Sequence, residues 1–142
     1  SKWANSLTAS GYAARWNSTG LFVIYAAENC SLACLENLVH RNGFGNDSDY
    51  SLLTISFPIT IKTIEIYSKY LPKDWNNATE NGHLICRTIG DSLISNQKSA
   101  ILFVPSLIIP NEKNVLINPN HPDFKKIKFA TQPFAFDKRL AK

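Results

Sequence analysis

At 142 residues and 15.9 kDa, with 44% apolar and 18% charged residues, the chain has the length and balance of one globular domain, which excludes a disordered chain and a fibrous repeat. The longest apolar run covers only residues 21–27, far short of the ~18 residues a membrane-spanning helix needs. The net charge of +4 is uneven, because Lys125, Lys126, Lys128, Lys138, Arg139 and Lys142 face Asp137 alone while the rest of the chain is nearly neutral.

Taken in chain order, the first unusual residue is Arg15, set between Ala13-Ala14 and Trp16-Asn17, where a solvated charge is out of place. The turn cluster Ser18-Thr19-Gly20 leads into residues 21–27, whose β-branched and aromatic content predicts a buried strand. Tyr25 lies in its middle, with a hydroxyl that needs a partner. Asn29 or Ser31 can cap a helix running to about His40, with Leu32, Leu35, Leu38 and Val39 as its apolar stripe. Asn42-Gly43 and Gly45-Asn46-Asp47 are expected to stop it. Strands are predicted over residues 50–57 and 61–67, then a surface loop over 71–82 punctuated by Pro72 and Gly82. A short helix opened by Asp91 is predicted over 91–98, followed by strands over 100–104, 115–118 and 126–130 and an extended C-terminus. Many short strands with one well-marked helix define an α+β domain.

Glu36 stands at the margin of the helix's apolar stripe, four residues before His40. A charge there is costly unless paired or used. The local pattern leaves it equally open that Arg15 and Glu36 form a buried salt bridge; a Glu36–His40 pair reads first as an ordinary surface pair. Cys30, Cys34 and Cys86 are odd in number and lack C-x-x-C spacing. They fit a reduced, cytoplasmic protein with buried thiols better than a zinc site completed by a histidine. Sequons at Asn17, Asn29, Asn46 and Asn77 carry no weight without a signal peptide. Ser106 ends a strand at Pro105-Ser106 but lacks the G-x-S-x-G of a hydrolase nucleophile. His121-Pro122 reads as turn chemistry. Neither G-x-G-x-x-G nor a Walker A loop is present, so a nucleotide would be held by arginine and backbone groups. The basic C-terminal segment reads first as a solvated strand face.

The run Ala14-Arg15-Trp16-Asn17-x-x-Gly20, then Tyr25-Ala26, then Leu32-Ala33-x-Leu35-Glu36-x-x-Val39-His40 resembles the N-terminal signature of the RES domain. The later series Gly90-Asp91, Val104-Pro105-Ser106, Asn114-x-Leu116-Ile117-Asn118-Pro119, His121-Pro122-Asp123-Phe124 and Pro133-Phe134-x-Phe136-Asp137-x-Arg139-Leu140 does the same. Each motif is weak alone, but their order and spacing are specific over residues 14–140. The departures are Leu93 where the family usually has a Trp after Gly-Asp, and a start after the family's first strand. A short N-terminal piece is therefore expected to be missing from this RES domain of residues 1–142, which opens on Ser1 without a Met.

The resemblance implies an ADP-ribosyltransferase-like domain with a mixed or antiparallel β core and flanking helices. It implies a cytoplasmic bacterial toxin that cleaves the nicotinamide–ribose bond of NAD, with NAD as substrate, no cofactor and no metal. Carried over by position, Arg15, Tyr25 and Glu36 are the catalytic set, and Arg15, Trp16, Asn17, Tyr25 and Ser106 bind NAD. The implied partner is an Xre-type antitoxin, with nucleic acid reached only through it, no membrane, and a homodimer as a further expectation. The alternative is a non-catalytic or nucleic-acid-directed toxin module using the basic C-terminal segment. The chemistry suits these residue types. A guanidinium binds a diphosphate bidentately, a tyrosine ring stacks on nicotinamide, and a carboxylate stabilises an oxocarbenium-like transition state.

Overall fold

The computed structural model describes residues 7–40 and 50–140. Its strands are β1 (Ile24–Ala27), β2 (Tyr50–Ser56), β3 (Thr63–Glu65), β4 (Ile101–Pro105), β5 (Lys113–Ile117) and β6 (Lys128–Phe134). Two α-helices, α1 (Cys30–His40) and α2 (Glu80–Ser95), separate them, and short 3-10 turns follow β3, β5 and β6. A four-stranded sheet has the order β1-β5-β4-β3, with β3 parallel to β4 and the other pairs antiparallel. β2 and β6 form a separate antiparallel ribbon. The fold is the α+β one expected.

Strand alternation sends successive side chains to opposite sheet faces. One face carries Leu102, Val104 and Leu116, which pack with Val23, Trp16, Trp75, Cys86 and Ile94. The other carries Ile24, Ile101, Val115 and Ile117, packed with Ile61, Ala100 and Ile127. Fully burying each such aliphatic side chain contributes roughly 1.5–3 kcal/mol before entropy is counted. This sheet is therefore cored on both faces, and it is the rigid base on which the loops around Arg15 and Ser106 are set.

The expected elements recur with shifted ends. The first strand begins at Ile24 rather than residue 21 and is an edge strand, so Tyr25 keeps 40% of its surface exposed instead of being buried. Asn29 caps α1, its Oδ1 accepting from Leu32 N–H at 2.8 Å; the expected stop at residues 42–47 lies outside the described residues. β3 is shorter than expected. β6 runs on to Phe134 despite Pro133, which a strand with one neighbour tolerates because a proline costs no ladder bond on the open side.

The main correction concerns the second helix. It spans Glu80–Ser95 rather than residues 91–98, and Asp91 lies well inside it instead of opening it. Gly82 and Gly90 read as helix breakers at ~1 kcal/mol each, yet both are buried in the helix against foreign backbone. A Cβ on Gly82 would fall 2.2 Å from the Asn77 carbonyl oxygen, and one on Gly90 would fall 1.8 Å from that of Trp16. Their smallness serves close approach, not chain reversal. The cysteine expectation holds only in part: Cys86 is buried and donates to the Trp75 carbonyl, whereas Cys34 is half-buried and Cys30 exposed on α1.

Candidate active site

Arg15 sits on a tight turn closed by the Ala14 N–H, which donates to the Asn17 carbonyl at 3.0 Å. Asn17, only 1% exposed, builds the loop from inside. Its Nδ2 lies within hydrogen-bond distance of the carbonyls of Tyr12, Leu21 and Ser18, at 2.9, 3.0 and 3.2 Å. Its Oδ1 accepts from the Tyr25 hydroxyl at 2.5 Å, and that hydroxyl accepts from the Trp16 N–H at 3.2 Å. Tyr25 thus ties β1 to the arginine turn. Burial of its hydroxyl pushes its pKa up to about 12, against the opposing pull of the Trp16 N–H, so at neutral pH it is a fixed donor. Trp16 lies in the core, 6.3 Å from Trp75 between ring centroids. The half-buried Arg15 donates from Nη1 to the Asn77 carbonyl at 3.0 Å.

Glu36 is delivered from the other side. Only Glu28 and Asn29 separate β1 from α1, so the helix turns back over the end of the sheet, where Leu32 is completely buried and Glu36 follows it by one turn. The Glu36 carboxylate accepts from Asn114 Nδ2 at 2.8 Å and from the Ser106 hydroxyl at 3.2 Å. Ser106 is fully buried, and its Oγ also accepts from the N–H groups of Ile108 and Ile109. Asn114 stands opposite Ala27 on β1 and Val104 on β4. Because Tyr25 and Ala27 share a face of β1, Tyr25 and Asn114 form a diagonal pair, for which the usual spacing is roughly 7–8 Å. Loop, strand and helix therefore bring Arg15, Tyr25 and Glu36 to one face of the sheet.

Arg15 and Glu36 reach different partners, so the mutual salt bridge left open by the sequence is not what the fold builds. Of the residues expected to bind substrate, Arg15 and Tyr25 keep accessible surface, whereas Trp16, Asn17 and Ser106 are 3%, 1% and 0% exposed. Asn114 was not among the expected site residues. Its signal was present, a polar residue on the same pleat as the buried Leu116. A cleft of about 810 Å³ opens between the β2–β6 ribbon, α1 and the sheet face that carries Ile24 and Val115; of the expected site residues only Tyr25 borders it. Among the described residues no helix is long and apolar enough to cross a membrane.

The class of protein defined here is a small α+β domain with an arginine turn, a strand tyrosine and a helix glutamate on one face of its sheet. The RES domain model matches residues 2–138, and the chain belongs to that family. It is 39% identical over 116 residues to the Prs ADP-ribosylating toxin of Sphingobium sp. (strain YBL2), covering 80% of this chain and 71% of the relative. It is also 37% identical over 136 residues to Toxin Res of Yersinia enterocolitica, covering 93% and 86%. Toxin Res of Photorhabdus laumondii is 36% identical over 134 residues, covering 92% and 83%.

Proposed function

We propose that this protein is a toxin enzyme that cleaves the nicotinamide–ribose bond of NAD and passes ADP-ribose to water, phosphate or a protein side chain. The observation that carries the reading is that Tyr25 is tied to the turn bearing Arg15 and stands on the same sheet face as Asn114, which holds Glu36. A relative named as an ADP-ribosylating toxin supports the transfer of ADP-ribose.

In this reading the Arg15 guanidinium, tethered through one nitrogen to Asn77, grips the diphosphate with its other donors. The Tyr25 ring, locked through its hydroxyl, offers a face to the nicotinamide. Breaking the C–N bond returns the bonding pair to the pyridinium nitrogen, so nicotinamide leaves neutral and no general acid is required. Positive charge grows on the ribose carbon and its ring oxygen. The Glu36 carboxylate, oriented by Asn114 and Ser106 before substrate arrives, stabilises that charge in the transition state more than in the ground state. The basic C-terminal segment is partly neutralised locally, by Lys126–Asp123 and Arg139–Asp137 pairs, which favours the enzyme over a nucleic-acid-directed module. Such an enzyme acts in the cytoplasm and is silenced by an Xre-type antitoxin.

Incubating the purified protein with NAD and following nicotinamide, free ADP-ribose, its phosphorylated form and protein-bound label tests the reading and names the acceptor. Release of nicotinamide under none of these conditions, with cell extract supplied as an acceptor source, overturns it.

A further inference from the structure

The Gly90-Asp91 step belongs to the family pattern, yet none of the chemistry above uses it. In the fold, Arg87, Gly90 and Asp91 occupy one face of α2 at i, i+3 and i+4, and the arginine turn lies along that face. Arg87 Nε donates to the Ala14 carbonyl at 2.8 Å. Asp91 accepts twice from Ser18, from its N–H at 2.8 Å and from its hydroxyl at 2.5 Å. Between these two clamps Gly90 admits the Trp16 carbonyl into space a Cβ would fill. Residues 14, 16 and 18 are thus each held by α2, with Arg15 on the turn between the first two. The other helix glycine repeats the device, because the Asn77 carbonyl that crowds Gly82 is the one that accepts from Arg15.

We propose that Gly90 and Asp91 are positioning residues, which set where the Arg15 guanidinium meets the NAD diphosphate; the assignment rests on the NAD reading above. Bidentate recognition of phosphate oxygens by a guanidinium is directional. Misplacing a binding group by ~1 Å can cost ~10²-fold. Relieving a Cβ at position 90 to even a 3.0 Å contact moves the Trp16 backbone by about 1.2 Å. Losing the Asp91 carboxylate frees the far end of the same turn.

The test compares Gly90→Ala, Asp91→Ala and Asp91→Asn in the otherwise native protein and in the Arg15→Ala background. In the native background Gly90→Ala and Asp91→Ala should raise KM for NAD by ~10- to 100-fold, with a smaller change in kcat. Asp91→Asn retains an acceptor oxygen for the Ser18 N–H and should recover part of the loss. In the Arg15→Ala background the same substitutions should leave the NAD dissociation constant, read by calorimetry, unchanged. A fall in kcat at constant KM, or equal affinity losses in both backgrounds, overturns the assignment. If Gly90→Ala does not fold, the two Asp91 variants decide. Amide exchange at Ser18 gives a readout that needs no activity. Should the native protein neither bind nor cleave NAD, the NAD reading fails. Faster Ser18 exchange in Asp91→Ala then supports the hold on the turn, and unchanged exchange refutes it.

Discussion

Tyr25→Phe removes one oxygen and orphans two groups, the Asn17 Oδ1 that accepts from it and the Trp16 N–H that donates to it. Both belong to residues that are almost inaccessible, at 1% and 3% exposure. An unsatisfied buried polar group costs about 1–3 kcal/mol, and the partial exposure of Tyr25 lets water soften the loss. The expected destabilisation is therefore about 2–4 kcal/mol. At ~4 °C per kcal/mol for a domain of this size, the melting temperature should fall by roughly 8–16 °C. The pH dependence supplies a second, independent sign. Burial raises the Tyr25 pKa from 10.0 to about 12, so folding favours the protonated hydroxyl. That contribution is complete below pH 10 and fades as the pH climbs towards 12. The advantage of the native protein over Tyr25→Phe should shrink across this window and nowhere below it. NAD turnover should fall mainly through KM, since the ring remains while the arginine turn loosens. Thermal melts from neutral to strongly alkaline pH, alongside steady-state kinetics, measure all three. A Phe variant that melts with the native protein would refute the view that this hydroxyl holds the turn together.

Glu36→Gln keeps an oxygen to accept from Asn114, so it should fold normally and lose at least ~10²-fold in NAD turnover, as measured by nicotinamide release. Arg15→Ala removes charge-assisted contacts worth about 1.5–3 kcal/mol and should weaken NAD binding by roughly 10- to 100-fold in calorimetry, with less effect on kcat. An Xre-type antitoxin is expected to cover the Arg15 site by offering an acidic group or a C-terminal carboxylate in place of the diphosphate. Titrated against inactive Glu36→Ala protein, its affinity should fall as NAD saturates the site; an affinity indifferent to NAD would point to a remote mechanism.

Local sequence is enough to place α1, with its cap at Asn29 or Ser31, and the strands around residues 50–56 and 101–105, because capping and apolar periodicity act within a few residues. It also marked Arg15, Tyr25 and Glu36 as misplaced polar groups in apolar company. What those groups touch was not legible. The sequence leaves an Arg15–Glu36 salt bridge open, and the turn and α1 deliver the two side chains to different partners. Asn114 lies just before the strand expected over residues 115–118, and only its register opposite Ala27 makes it the group that orients Glu36. The first eleven residues of α2 were hidden for a physical reason. Intrinsic propensity charges each glycine its backbone entropy and records nothing about the carbonyl that will press against it. At Gly82 and Gly90 the neighbours are the backbones of Asn77 and Trp16, brought there by chain segments that no window on the helix contains. Periodicity reports which face of an element will be buried; only the assembled fold decides what it is buried against, and here that contact is what shapes the arginine turn.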